Sequence, residues 1–131
     1  MAKIMVTKVE MLRTRQEMSK ISIEKCHDGI GSVESSSVVE PNESEVGIQF
    51  MHDDILPPGA TVGEHPHAEE EEIYFIVEGH GTLILDGREY PVAAGDVSLL
   101  RRGHSHGIKN SMDGPMRMLV VQVKPPAPHS S

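Results

Sequence analysis

The chain has 131 residues, a length typical of one domain with a core of its own, and a formal net charge of −8. This charge makes nucleic acid and anionic membranes unfavourable partners, and no apolar run approaches the length of a membrane span. The single cysteine, Cys26, excludes an intramolecular disulfide, and the first residues resemble no secretory leader, so we expect a soluble cytoplasmic protein.

Residues 1–45 are expected to form an N-terminal arm and the first strands, which pack on the main domain. The apolar run at residues 4–6 suits a short strand or a helical turn. The polar stretch Arg13–Lys20 suits a short helix or an arm over a partner subunit. Ser32–Val39 has β-branched residues at its ends and predicts a strand, after which Pro41 and Asn42 mark a turn.

Residues 46–124 read as a series of short strands separated by turns, and residues 125–131 as a flexible Pro- and Ser-rich tail. Asp86-Gly87 is a type I′ hairpin signal. Short strands without a long helix indicate an all-β sandwich or barrel. The predicted strands are Val46–Leu56, a segment carrying His65 and His67, Glu72–Glu78, Thr82–Leu85 after a break at Gly79–Gly81, Arg88–Val92, Val97–Leu100, Ser105–Lys109 and Met116–Val123.

The strand Glu72–Glu78 is apolar on both faces. Tyr74 and Ile76 share the face of Glu72, whereas Ile73, Phe75 and Val77 point the other way. A strand that is buried on both sides needs a second covering layer, which can be another sheet or a second subunit. We therefore expect a homodimer.

Four residues in this region are candidate metal ligands. His65 and His67 are two residues apart, so both imidazoles point to one face of an extended strand. A turn can bring Glu72 back towards them, and His106 would come from a third strand. Three imidazoles and a carboxylate suit Mn, Fe, Ni, Zn or Cu better than Ca or Mg. Four ligands on one side of an octahedral ion leave two positions for water, substrate or dioxygen.

The spacing of these residues resembles the first signature of the cupin superfamily, G(X)5HXH(X)3–4E(X)6G. Gly59, His65, His67, Glu72 and Gly79 meet every spacing of that signature. Among the neighbouring acids, only Glu72 leaves the required distance to the closing glycine.

The second cupin signature, G(X)5PXG(X)2H(X)3N, is matched by Gly95, Gly103, His106 and Asn110. Arg101 stands where the signature has proline, a change that concerns the local turn. The resemblance implies a single-domain jelly-roll barrel, also called a double-stranded β-helix. It also implies that His65, His67, Glu72 and His106 bind the metal.

The sequence leaves two main functions open. The first is a metalloenzyme acting on a small oxygenated molecule by dioxygenase, decarboxylase, isomerase or lyase chemistry, with Tyr74 or His52 as proton donor or acceptor. The plainer interpretations place Tyr74 in the barrel wall and His52 on the surface. The second function is a binding or sensor protein in which the metal only orients a small-molecule ligand. A closed, purely structural metal site is a weaker third interpretation.

Two arginines beside the second signature, Arg101 and Arg102, could bind a substrate carboxylate through a guanidinium fork. A loop at this point could equally leave both side chains in solvent.

Overall fold

The computed structural model describes residues 10–125, and nearly all of the regular elements in them are β-strands. The interpretations given for residues 4–9 and for the tail from residue 126 lie outside this range. Within it there is no α-helix, and two 3₁₀ turns occur, at Arg15–Glu17 and Cys26–Asp28. The all-β class predicted from the sequence is confirmed.

Ten strands run through the described residues. They are β1 (Lys20–Glu24), β2 (Ser32–Val39), β3 (Ile48–Leu56), β4 (Thr61–His67), β5 (Glu71–Glu78), β6 (His80–Leu85), β7 (Arg88–Ala93), β8 (Val97–Leu100), β9 (His104–Asn110) and β10 (Met116–Val123).

The strands form two antiparallel sheets. The large sheet has the order β1–β2–β3–β10–β5–β8, and the small sheet has the order β4–β9–β6–β7. Successive strands such as β3 and β4, or β4 and β5, lie in different sheets, so the chain crosses repeatedly from one to the other. This double-sheet arrangement is a jelly roll, which confirms the predicted architecture.

The N-terminal segment differs most from the sequence-based expectation. The helix-compatible stretch Arg13–Lys20 forms only the turn Arg15–Glu17, because Lys20 already belongs to β1. No strand was expected at β1, whose side chains are mostly exposed and show no clear apolar pattern. It forms because five of its residues pair with β2.

Two turns in the middle of the chain have the positive φ angles that their glycine and aspartate residues predict. Asp86 and Gly87 have φ of 48° and 80°, as a type I′ hairpin requires, so this prediction is confirmed. The predicted break at Gly79–Gly81 is restricted to Gly79, whose φ is 86°, because β6 starts at His80.

The inner face of the large sheet carries side chains in rows across paired strands. Glu72 on β5 pairs with Gln122 on β10, and the next row joins Tyr74, Val120 and His52. Further along the same strands comes an apolar layer, in which Leu56, Met116 and Met118 are fully buried and pack in one core cluster with Ile108 of the small sheet. The Glu72 row therefore lies near the β4–β5 turn, above a closed core.

The outer face of the same sheet carries exposed apolar side chains. Phe75 on β5 pairs with Val97 on β8, and the two side chains are 39% and 65% exposed. Leu99, on the same face of β8, is 53% exposed. Within the described residues of one chain, this part of the sheet has no covering layer.

Candidate metal centre

The two sheets bring the four predicted ligands together. His65 and His67 lie on β4, and His106 lies on the adjacent β9, directly paired with His65. Glu72 approaches from β5 in the opposite sheet. One ligand atom from each residue lies within 4.8 Å of all the others, so the group could hold a single metal ion.

The four side chains are removed from solvent. His106 is 0% exposed, Glu72 is 4% exposed, and His65 and His67 are each 8% exposed. A carboxylate is costly to bury unless partners compensate its charge. This burial indicates that the group is a built site and not a chance surface cluster.

His65 is oriented by its own strand. Its Nδ1 donates a hydrogen bond to the carbonyl oxygen of Gly63 at 2.7 Å, which leaves the lone pair on Nε2. Burial lowers the pKa of His65 to about 4. The imidazole is therefore neutral at pH 7, the form that binds metal.

His67 is oriented in the same manner by an acidic side chain of the β4–β5 turn. Its Nδ1 lies 3.4 Å from Oε1 of Glu70, one of the acids that follow it in the sequence. A donor at Nδ1 again leaves Nε2 with the lone pair. That Nε2 is buried and has no hydrogen-bond partner among the described residues.

Glu72 is the residue on which two imidazoles converge. Its Oε1 lies 2.9 Å from Nε2 of His106 and 3.2 Å from Nε2 of His67. Burial alone would raise the pKa of Glu72, but the hydrogen bond from His106 and the nearby histidines hold it below its usual range. Glu72 is therefore a carboxylate at neutral pH.

These residues fit a divalent transition metal. Nε2 of His67 makes no hydrogen bond although it lies 3.2 Å from Oε1 of Glu72, and a nitrogen lone pair facing a carboxylate oxygen in a buried site is unfavourable unless a cation binds both atoms. Imidazole nitrogens with one carboxylate form a donor set suited to Mn, Fe, Ni, Zn and Cu.

Tyr74, the first predicted acid–base residue, lies inside the barrel against a candidate ligand. Its ring stacks on that of His106, with centroids 4.2 Å apart and an interplanar angle of 12°. Burial, reinforced by the negative charge of Glu72, raises the pKa of Tyr74 well above its usual value. The hydroxyl therefore stays protonated at neutral pH and can serve as a hydrogen-bond donor.

His52, the second predicted acid–base residue, lies on the inner face of β3, in the row of Tyr74. It is half-buried and stacks on Phe50, with centroids 4.3 Å apart. Burial lowers its pKa, which favours the neutral form. Its ring lies outside the group of four, so its place suits the wall of a ligand site rather than the coordination shell.

Arg101 and Arg102 are exposed and lie outside the four-residue group. Arg102 lines a cavity of about 390 Å³ together with Glu71 and Val123. Strand alternation puts Glu71 on the face opposite to Glu72. This cavity is therefore separate from the candidate metal centre.

His27 is a neighbour of the site that the spacing of the sequence does not predict. It lies in the turn between β1 and β2, and its ring stacks on that of His65, with centroids 3.5 Å apart and an angle of 12°. The side chain is exposed, but one face of its ring covers that of the candidate ligand His65. It belongs to neither signature, and only the adjacent Gly29 and Gly31 mark an irregular backbone at this point.

In the described residues, no helix is long and apolar enough to cross a membrane.

Both the sequence and the fold are similar to those of known proteins. The family described as "Cupin domain" matches residues 53–122, just over half of the chain. A relative from Thermotoga maritima named oxalate-binding protein is 32% identical over 111 residues, covering 85% of this chain and 92% of that protein.

Solved structures give the same result for the fold. The crystal structure of a predicted oxalate decarboxylase from Thermotoga maritima has a TM-score of 0.82 and 31% identity, covering 87% of this chain and 99% of that one. The polyketide cyclase RemF from Streptomyces resistomycificus has a TM-score of 0.72 and 21% identity, covering 90% and 83%. With only 21% identity, the similarity to RemF concerns the fold alone.

Proposed function

The chain belongs to the cupin family, and we propose that it binds a small carboxylate through a divalent transition metal held by its four clustered side chains. The observation that carries this proposal is the buried convergence of His65, His67, Glu72 and His106, whose ligand atoms lie within 4.8 Å of one another.

The charge of the site favours an anionic ligand. A divalent ion held by neutral imidazoles and the single carboxylate Glu72 would keep one positive charge inside the barrel. The protein as a whole carries a net charge of −8, so this local positive charge would be needed to attract an anion.

The size of the ligand is limited by the core. The fully buried Leu56, Ile108 and Met116 fill the barrel beyond the Tyr74 row, so the ligand must fit beside the Glu72 row. A compact dicarboxylate such as oxalate meets this limit, and the name of the Thermotoga maritima relative supports the same class.

The test is to measure metal content and then oxalate binding by calorimetry on metal-loaded and metal-free protein. We expect about one ion per chain and binding that depends on the metal. His106→Ala should lose both. His104→Ala is the matched control, because His104 lies on the same strand but is exposed and bonds to Asp86 at 2.7 Å. Metal-loaded protein that does not bind oxalate or related carboxylates would overturn the proposal.

The second candidate is a metalloenzyme of the decarboxylase, dioxygenase, isomerase or lyase type. It is favoured by the row that places Tyr74 and His52 on the same inner face, a protonated hydroxyl and a neutral imidazole. A bound ion would supply Lewis-acid polarisation of a carboxylate. Product formation from oxalate, followed by NMR, that is lost in His52→Gln and in Tyr74→Phe would favour this candidate over binding alone.

We also propose that the protein is a homodimer joined through the outer face of the large sheet, and that it works in the cytoplasm. Phe75, Val97 and Leu99 form an exposed apolar patch on that face. The cavity beside it carries acidic Glu69 and Glu71 together with basic Arg102 and Lys124. Mixed charges suit an isologous interface, in which the same surface meets itself.

A further inference from the structure

We propose that His27 is a positioning residue for His65: its ring fixes the plane of that ligand and thereby sets the metal affinity of the site. This inference rests on the proposed metal centre. It starts from the parallel stack of the two imidazoles, with centroids 3.5 Å apart and an interplanar angle of 12°.

His65 needs such support because β4 is an edge strand of the small sheet. On one side β4 pairs with β9, and the pairing is irregular between Val62 and His65. On its other side, no strand formed by residues 10–125 pairs with it. The loop 25–31 between β1 and β2 takes that place.

The loop is fastened to β4 by its backbone. The amide of Thr61 donates to the carbonyl oxygen of Ile30 at 2.8 Å, and the amide of Ile30 donates to Oγ1 of Thr61 at 2.7 Å. A Cβ added at Gly63 would lie 1.9 Å from the carbonyl oxygen of His27. Gly63, together with Gly29 on the loop, therefore lets the loop approach closely enough for the stack.

The backbone of the loop is strained where it carries His27. Lys25, His27 and Asp28 have φ of 49°, 50° and 62°. These values lie in the left-handed region, which residues other than glycine adopt at an energetic cost. Such strain persists where the surrounding structure requires it. Here it aims an imidazole at His65.

Two contacts thus fix His65 in different directions. The hydrogen bond from Nδ1 to Gly63 sets the rotation of the ring within its plane, and the His27 stack sets the plane itself. A ligand held in this way loses less conformational freedom when it coordinates an ion.

The experiment compares His27→Asn with His27→Phe. Asn tolerates a left-handed backbone but has no ring, whereas Phe keeps a flat ring without imidazole nitrogens. Asp28→Asn is the control, because it changes an exposed neighbour of positive φ and leaves the stack intact. Cobalt affinity is measured by competition with a chelator, together with the visible spectrum of the bound ion.

We expect His27→Asn to weaken cobalt binding about tenfold, by analogy with the loss of other residues that orient a ligand, and to shift the visible bands. His27→Phe and Asp28→Asn should stay close to the wild type. Unchanged affinity and spectrum in His27→Asn would overturn the inference.

A measurement on metal-free protein separates this inference from the proposed function. Nitrogen-15 spectra of the histidine rings should show His65 in one tautomer, protonated at Nδ1. In His27→Asn the ring can leave the plane in which Nδ1 reaches the carbonyl oxygen of Gly63, so the spectra should show mixed tautomers. If the wild type binds no metal but His65 changes in this way, the proposed function fails and the positioning role stands. If His65 is unaffected in the variant, the positioning role fails whatever the metal result.

Discussion

Oε1 of Glu72 lies 2.9 Å from Nε2 of His106, although the two residues are 34 positions apart and belong to opposite sheets. The contact bridges the interior of the barrel at the level of the candidate metal centre. It brings a carboxylate and an imidazole from opposite sheets within reach of a single ion.

Glu72→Gln should weaken metal binding by more than about 100-fold, since the loss of a ligand should exceed the 10- to 100-fold effect of residues that merely orient one. The change keeps the size of the side chain and removes its charge. Competition titration with a chelator measures the effect. Glu71→Gln is the matched control, because its side chain points to the opposite face. Equal losses in the two variants would argue against coordination by Glu72.

The cluster of four candidate ligands could be predicted from the sequence because it depends on short, fixed spacings within the chain. His65 and His67 share a face of one strand, and Glu72 and His106 stand at the distances that the cupin signatures require. The strands β2, β8 and β10 were also predicted with their observed bounds, since their β-branched residues and flanking turns are local signals.

The surroundings of the site could not be predicted in this manner, because they depend on contacts between distant segments. His27 reaches His65 only through the pairing of β1 with β2 and the close approach at Gly63. Asp54, beside Asp53 in the sequence, is buried with one carboxylate oxygen unpartnered, whereas Asp53 bonds to Arg117 and Arg15 on the other face. Nothing in the local sequence separates these two acids except strand alternation.

Asp54→Asn should stabilise the metal-free protein at neutral pH. Burial raises the pKa of Asp54 to about 6, against the opposing hydrogen bond from Ser35 and with help from the charges of Asp53 and Glu72. The folded state therefore binds this proton more tightly than the unfolded state does. Protonation of Asp54 therefore stabilises the folded state. This stabilisation is full below pH 3.8, the ordinary pKa, and is lost as the pH rises through about 6.

The shift from 3.8 to about 6 corresponds to about 3 kcal/mol in the free energy of unfolding. Urea unfolding of both proteins across this range should show a gap that grows with pH in favour of Asp54→Asn. A gap that is constant with pH would mean that Asp54 titrates normally in the folded protein.

Gly63→Ala should lower the free energy of unfolding by about 1–3 kcal/mol, as for other overpacked positions. The added Cβ would lie 1.9 Å from the carbonyl oxygen of His27, and neither atom can move without a shift of the backbone that carries it. Gly114→Ala is the control, since a Cβ there meets nothing within 4 Å. Thermal unfolding measures the loss of stability in both variants. Equal losses would show that the loop carrying His27 moves away from the added Cβ without destabilising the fold.

Val97→Glu should convert the proposed dimer into a monomer. Val97 is 65% exposed in one chain and lies in the apolar patch with Phe75 and Leu99, so a second subunit would bury it. A carboxylate placed there would be desolvated on each side of a two-fold interface, which is unfavourable without a partner charge. Light scattering at micromolar concentration should give the mass of two chains for the wild type and of one chain for the variant.

Met112→Glu is the control, because Met112 is 78% exposed in a turn away from this face, and this variant should remain a dimer. A wild type with the mass of one chain would refute the dimer, and a dimeric Val97→Glu would move the interface to another surface.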